Sequence, residues 1–211
     1  MNDRIFGIPF FTCKIDPKKY DKEKIVSDIE SNYLKNPDRV EWAAQESTQL
    51  MSYNNDWNSN DIKLDFTSLK KLYQDIIPQC LNEFNLQHPY RWTFSFASYT
   101  CMNEGGYMRP HNHPDLDFVA VHYLKFDPEI HTSTRCINEN PWANYTTYLR
   151  PELIDILGGN ISNSWASSDW FLPTEEDTLC ITPGFLYHEV PPQQKSDKLR
   201  MTLVTAIRLS K

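Results

Sequence analysis

No run of five or more Lys or Arg residues occurs anywhere in this sequence. A nucleic-acid or anionic-membrane surface is therefore not expected, since such surfaces are built from clustered basic charge. Long apolar runs are missing too. The most apolar stretch, Ile5-Phe6-Gly7-Ile8-Pro9-Phe10-Phe11, is far shorter than the roughly 20 residues a bilayer-spanning helix needs. The opening residues Met1-Asn2-Asp3-Arg4 lack the basic and apolar regions of a secretory signal, so the expected compartment is the cytoplasm. Cysteine is sparse and scattered. Cys13, Cys80, Cys101, Cys136 and Cys180 are odd in number and never spaced Cys-x-x-Cys, which argues against a disulfide framework and a thiolate zinc site. Small, partly buried thiols in a reducing compartment are expected instead.

What remains is an acidic chain of 211 residues with a formal net charge of -7. That length fits one domain, residues 1–211, with a substantial core. No internal repeat, low-complexity tract or linker divides it. Residues 4–15 mix β-branched and aromatic side chains and predict an opening strand. Residues 21–35 predict a helix with Ile25, Ile29 and Tyr33 on one face. Residues 36–64 are polar and predicted irregular. A second helix is predicted from Asp65 or Thr67, both good N-caps, with Leu69, Leu72, Ile76 and Cys80 as its stripe and a kink or early end at Pro78.

After His88-Pro89 the pattern changes to short strands, at residues 91–100, 118–126, 177–182, 185–190 and 198–209. Short strands with Gly/Pro turns point to a barrel or jelly roll, its outside covered by the two N-terminal helices. Residues 127–176 read as a long irregular insertion, rich in Trp and Tyr, with a short helical piece near 151–157. Long irregular insertions are commonly functional, and a lid over the barrel mouth is expected here.

Three of the six histidines carry a metal-site pattern. His111-Asn112-His113 stands just ahead of the strand at 118–126, and His188 lies in a later strand. On an extended segment residues i and i+2 project to one side, so His111 and His113, or His113 and Asp115, can share an ion. Imidazole and carboxylate ligands with open positions suit non-haem Fe(II) oxygen chemistry. Arg200 follows His188 by twelve residues, with Thr202 on the same strand face. A buried guanidinium beside a hydroxyl suits a carboxylate at the inner end of a barrel. Tyr123 is placed to add a donor.

These residues together resemble the Fe(II)/2-oxoglutarate oxygenases, which carry His-x-Asp, a distant His, and Arg-x-Ser about a dozen residues later. Ala97-Ser98-Tyr99 followed by Gly106-Tyr107-Met108-Arg109-Pro110-His111 is similar to the corresponding run of prolyl hydroxylases, and His122-Tyr123-Leu124 is similar to their Tyr-Tyr-Leu strand. Phe6 to Phe10, His111 to Pro114, Pro183 to Val190 and Arg200 also match, in order, a group of phage and bacterial 2-oxoglutarate/Fe(II) oxygenases. The resemblance implies a mainly β (α+β) double-stranded β-helix, a cupin-like jelly roll with N-terminal supporting helices. It implies Fe(II) and 2-oxoglutarate as cofactors, decarboxylation to succinate, and hydroxylation of a small-molecule or peptide substrate. It assigns Arg200, Thr202, Tyr123 and Tyr99 to the cosubstrate.

One departure stands out: the family has Asp where this chain has His113. Three ligand sets stay open on the sequence: His111, His113 and His188; a frame of His113, Asp115 and His188; or His111 and His188 with water in the third place. Two other classes remain beside the oxygenase. A cupin-like metal enzyme that does not use 2-oxoglutarate keeps the histidines and has no need of Arg200. A non-catalytic jelly-roll binding protein needs neither.

Overall fold

The structure is a computed structural model, and it describes residues 8–35, 48–52, 61–84, 86, 89–140, 143–144, 148–150, 152–156 and 167–211. In chain order the elements are β1 (Phe11–Lys14), a 3-10 turn (Pro17–Lys19), α1 (Lys22–Lys35), β2 (Thr48–Ser52), α2 (Thr67–Glu83), β3 (Arg91–Met102), β4 (Met108–His111), β5 (Phe118–Lys125), β6 (Arg135–Ile137), α3 (Glu152–Ile156), β7 (Asp169–Phe171), β8 (Thr178–Pro183), β9 (His188–Val190) and β10 (Arg200–Ser210). The strands form two sheets, ordered β1-β8-β5-β10-β3-β2 and β4-β9-β6-β7, with every pairing antiparallel. This arrangement is compatible with a jelly roll.

Successive residues of a strand face opposite sides of its sheet, and the six-stranded sheet uses both sides. Its outer side meets the helices. Ile25 and Ile29 of α1 and Leu69, Tyr73, Ile77 and Cys80 of α2 pack with Tyr99, Cys101, Leu124, Leu179, Met201 and Leu203 in one core cluster. Burying each such Leu or Ile stabilises the fold by about 1.5–3 kcal/mol. Its inner side faces the four-stranded sheet, where Tyr123, Phe126, Leu172 and Cys180 form a second cluster with Cys136 against it. β5, sandwiched between the two layers, is mostly buried along its length, which hides its alternation in the sequence.

Several expectations change. Helix α2 runs through Pro78 to Glu83 instead of ending there. Its fully buried stripe is Leu69, Tyr73, Ile77 and Cys80, with Leu72 and Ile76 at the edge. A strand, β2, lies within the region expected to be irregular, although residues 36–47 and 53–60 are outside the described residues. The expected opening strand is seen from Phe11, with residues 1–7 likewise outside the described set. Residues 127–176 are not an insertion throughout: β6 and β7 at their two ends belong to the four-stranded sheet. At three residues each, these strands are too short to show a period. Of the aromatics expected there, Trp142, Tyr145 and Trp165 fall outside the described residues, so the lid is untested. The five cysteines are free thiols. Among the described residues no helix is long and apolar enough to cross a membrane.

Candidate metal centre

The metal-ligand candidates come from the edge of the four-stranded sheet and the loop beyond it. His111 ends β4 and His188 opens β9, and the two are direct cross-strand partners. Directly opposed residues of an antiparallel pair share a face, which explains ring centroids only 4.4 Å apart. His113 lies just past β4, its ring 5.2 Å from that of His111 and 5.3 Å from that of His188. Each of the three offers one ligand atom, all within 4.8 Å of one another.

Local bonds fix this loop. The His113 amide donates to Gly184 O at 2.7 Å, Leu116 N donates to His113 O at 3.0 Å, and Gly184 N donates to Asp117 O at 3.0 Å. A Cβ at Gly184 would lie 2.2 Å from Leu116 O and 2.6 Å from His113 O, a backbone collision. The Pro183-Gly184 turn therefore clamps the His113 loop against the entry to β9, and only glycine permits the approach.

The electrostatics suit a cation. His111 Nδ1 lies 2.7 Å from Arg109 O and His188 Nδ1 lies 2.9 Å from Leu186 O. A carbonyl only accepts, so each Nδ1 carries the hydrogen and the lone pair is on Nε2, the tautomer a metal ligand needs. Burial lowers the pKa of all three rings: His113 falls to about 4 and His188 to about 3, with His111 next to them adding to the effect. All three imidazoles are thus neutral near pH 7, ready to ligate without first losing a proton. Asp115, the alternative ligand, is not in this group. It is exposed and pairs with Arg208 at 3.4 Å, because the turn after His113 carries it outward.

Deeper between the sheets lies Arg200, only 1% exposed. Its guanidinium sits 5.3 Å from the Tyr123 ring centroid and 5.8 Å from that of Phe126, with Nη1 3.9 Å from Met102 Sδ. Its Nε is buried without a hydrogen-bond partner. Burial lowers the Arg200 pKa, yet arginine remains charged in proteins. Thr202, two residues along the same face, shares a 2.5 Å hydrogen bond with Thr100. Tyr123 OH donates to Thr134 Oγ1 at 2.7 Å.

Tyr99 does not join this group. It pairs in register with Leu203 and packs in the helix-side cluster, because alternation turns its neighbour Thr100 inward in its place. Thr100, Met102, Phe126 and Thr134 were not expected from the sequence. The alternation of β3 opposite Arg200 and Thr202 was the signal for Thr100 and Met102. Phe126 and Thr134 carried none. His122, with no role expected, is fully buried on the helical side and bonded to Tyr73. His131 caps the 127–131 turn, and His88 is outside the described residues.

No family model matches the chain, and no curated protein is similar to it in sequence. Solved structures are similar in fold. A prolyl hydroxylase from Trichoplax adhaerens, in complex with a hypoxia inducible factor peptide fragment, superposes with a TM-score of 0.54 at 10% identity, covering 94% of this chain and 83% of that one. HygX from Streptomyces hygroscopicus, with nickel and 2-oxoglutarate bound, gives 0.50 at 12% identity over 95% and 83%. The non-haem α-ketoglutarate dependent epimerase SnoN from nogalamycin biosynthesis gives 0.54 at 11% identity over 97% and 78%. At these identities the likeness concerns architecture, and by that measure this chain has the fold of the prolyl hydroxylases and other 2-oxoglutarate/Fe(II) oxygenases.

Proposed function

We propose that the chain is an Fe(II)- and 2-oxoglutarate-dependent oxygenase of the double-stranded β-helix type, acting as a hydroxylase on a small-molecule or peptide substrate. The observation that carries this reading is the pairing of two features, one from each sheet: three neutral histidines that converge on the four-stranded sheet, and on the six-stranded sheet a fully buried arginine with no anionic partner among the described residues. A metal alone accounts for the first. An anionic ligand accounts for the second, since a buried charge without an ionic partner is costly.

In this reading His111, His113 and His188 hold the iron, and His113 takes the place that a carboxylate has in related enzymes. Arg200 pairs with the distal carboxylate of 2-oxoglutarate through its guanidinium fork. Tyr123 supports the fork with its ring, and Thr202 and Thr100 line the wall beside it. Bound ferrous ion and keto acid supply oxygen activation coupled to decarboxylation of 2-oxoglutarate to succinate. The protein's own contribution is ligation, orientation and exclusion of water. The peptide held by the Trichoplax relative and the epimerase among the similar structures show how varied the chemistry on this fold is.

The test is anaerobic titration of 2-oxoglutarate into Fe(II)-loaded wild type and Arg200→Ala, following the visible metal-to-ligand charge-transfer band. Wild type should develop the band. The variant should keep its iron and lose 2-oxoglutarate affinity by about 2–5 kcal/mol, the cost of truncating one partner of a buried charge pair. No band in iron-loaded wild type would favour the cupin-like metal enzyme that does without 2-oxoglutarate, and equal affinity in the two proteins would remove Arg200 from the cosubstrate site.

A further inference from the structure

The register of the four-stranded sheet draws one row across its inner face. His111 opposes His188, His188 opposes Cys136, and Cys136 opposes Trp170. The inward direction is fixed independently at each end. Cys136 packs on the inner cluster, and Leu172, two residues beyond Trp170, is 5% exposed within that cluster. The residues between them face out: Phe171 is 46% exposed beneath Arg135, and Arg135 pairs with Glu189. Trp170 therefore lies on the inner wall of the four-stranded sheet, the one that carries His111 and His188.

Its height along that wall is also set. Leu172 N donates to Thr134 O, and Thr134 accepts the Tyr123 hydroxyl at the level of Arg200. Trp170 and Cys136 lie two residues away from that level, about 7 Å, on the row of His188. The indole Nε1 of Trp170 is buried and has no hydrogen-bond partner. Tryptophan N–H groups ordinarily find an acceptor when buried, and leaving one unmade costs about 1–3 kcal/mol. Among the described residues Trp170 Nε1 is thus a buried donor without an acceptor, on the row of His188.

We propose that the Trp170 indole N–H donates a hydrogen bond to an oxygen at the metal-proximal end of the bound keto acid, making Trp170 a positioning residue for the cosubstrate. This rests on the 2-oxoglutarate reading above. Nε1 is buried, and in that reading the cosubstrate would lie between the sheets, so the cosubstrate is the partner assigned to it and a substrate arriving from solvent is not. Arg200 would then fix one end of the dicarboxylate and Trp170 the other, setting its rotation about the long axis.

The experiment uses the full chain loaded with Zn(II), which is diamagnetic and does not turn over. The six tryptophans, labelled with 15N, give indole signals that are followed as 2-oxoglutarate is added. Loss of one signal in Trp170→Phe, or in Trp170→Tyr if the first variant fails to fold, assigns Trp170. The expected result is a saturable downfield shift of the Trp170 N–H with slowed solvent exchange. Trp170→Phe should keep its metal and bind 2-oxoglutarate about tenfold more weakly, as for one lost hydrogen bond. Saturation seen by other signals or by calorimetry, with the Trp170 signal unmoved, overturns the inference while the oxygenase reading stands. Absence of any 2-oxoglutarate binding overturns both.

Discussion

The two faces of the six-stranded sheet treat buried charge in opposite ways. On the helical side Lys22 meets Asp177 at 2.7 Å and Glu176 at 2.6 Å, Asp177 accepts from Tyr20 at 3.2 Å, and His122 bonds Tyr73 at 3.0 Å. Those charges answer one another and tie α1 and α2 to the strands. On the inner side Arg200 has sulfur and aromatic faces for company and a buried Nε without a partner. A paired buried charge is part of the scaffold. An unpaired one points to a ligand, because folding alone gives no return on its desolvation.

The sharpest way to break this contrast is at the histidines. His111→Ala and His188→Ala should each abolish stoichiometric Fe(II) binding, and His113→Ala should weaken it far more than Asp115→Ala, all read by metal analysis after desalting. Full occupancy in the His111 and His188 variants would dissolve the inner site. A larger effect at Asp115 than at His113 would restore the alternative ligand frame.

The charges come next. Without ligand, Arg200→Met should stabilise the protein by about 1–3 kcal/mol while removing 2-oxoglutarate binding. Asp177→Ala should destabilise it by a similar amount, since Tyr20 and Lys22 lose an acceptor. Denaturant melts of the two variants measure both signs. Destabilisation by Arg200→Met would make Arg200 a scaffold residue like Asp177.

Gly184→Ala tests the clamp. It should lower metal affinity through the His113 loop, with the strands unchanged by circular dichroism. Unaltered affinity would mean that the loop tolerates the displacement.

Acid sharpens the comparison more gently. Burial depresses His122 to about 3, His188 to about 3 and His113 to about 4. A depressed histidine leaves stability intact above its unfolded pKa near 6.5. Stability is then lost as pH falls from there toward about 3–4, because the unfolded chain binds protons that the native state refuses. Apoprotein melts should therefore weaken steadily below pH 6.5, and His122→Gln should flatten part of that slope while leaving metal binding unchanged. A flat profile would show that these rings are more solvated than their burial indicates. The smallest effect belongs to the exposed Asp115–Arg208 pair, where Asp115→Ala should change stability by less than about 1 kcal/mol.

By itself the sequence determined the helices and the longer strands, and it singled out His111, His113, Asp115, His188 and Arg200 as candidates. The elements follow from periods of 3.6 and 2, and the candidates from the order and spacing of residues that taken singly are weak signals. The tertiary structure decided what period cannot. It put Tyr99 on the helical side and Thr100 on the inner side, because a face is defined only once both layers exist. It joined residues near 135 and 170 into one sheet, although strands of three residues carry too little pattern to be recognised. It brought His113, and not Asp115, beside His111 and His188, because that choice depends on a loop held by the Gly184 turn, about seventy residues away in the chain.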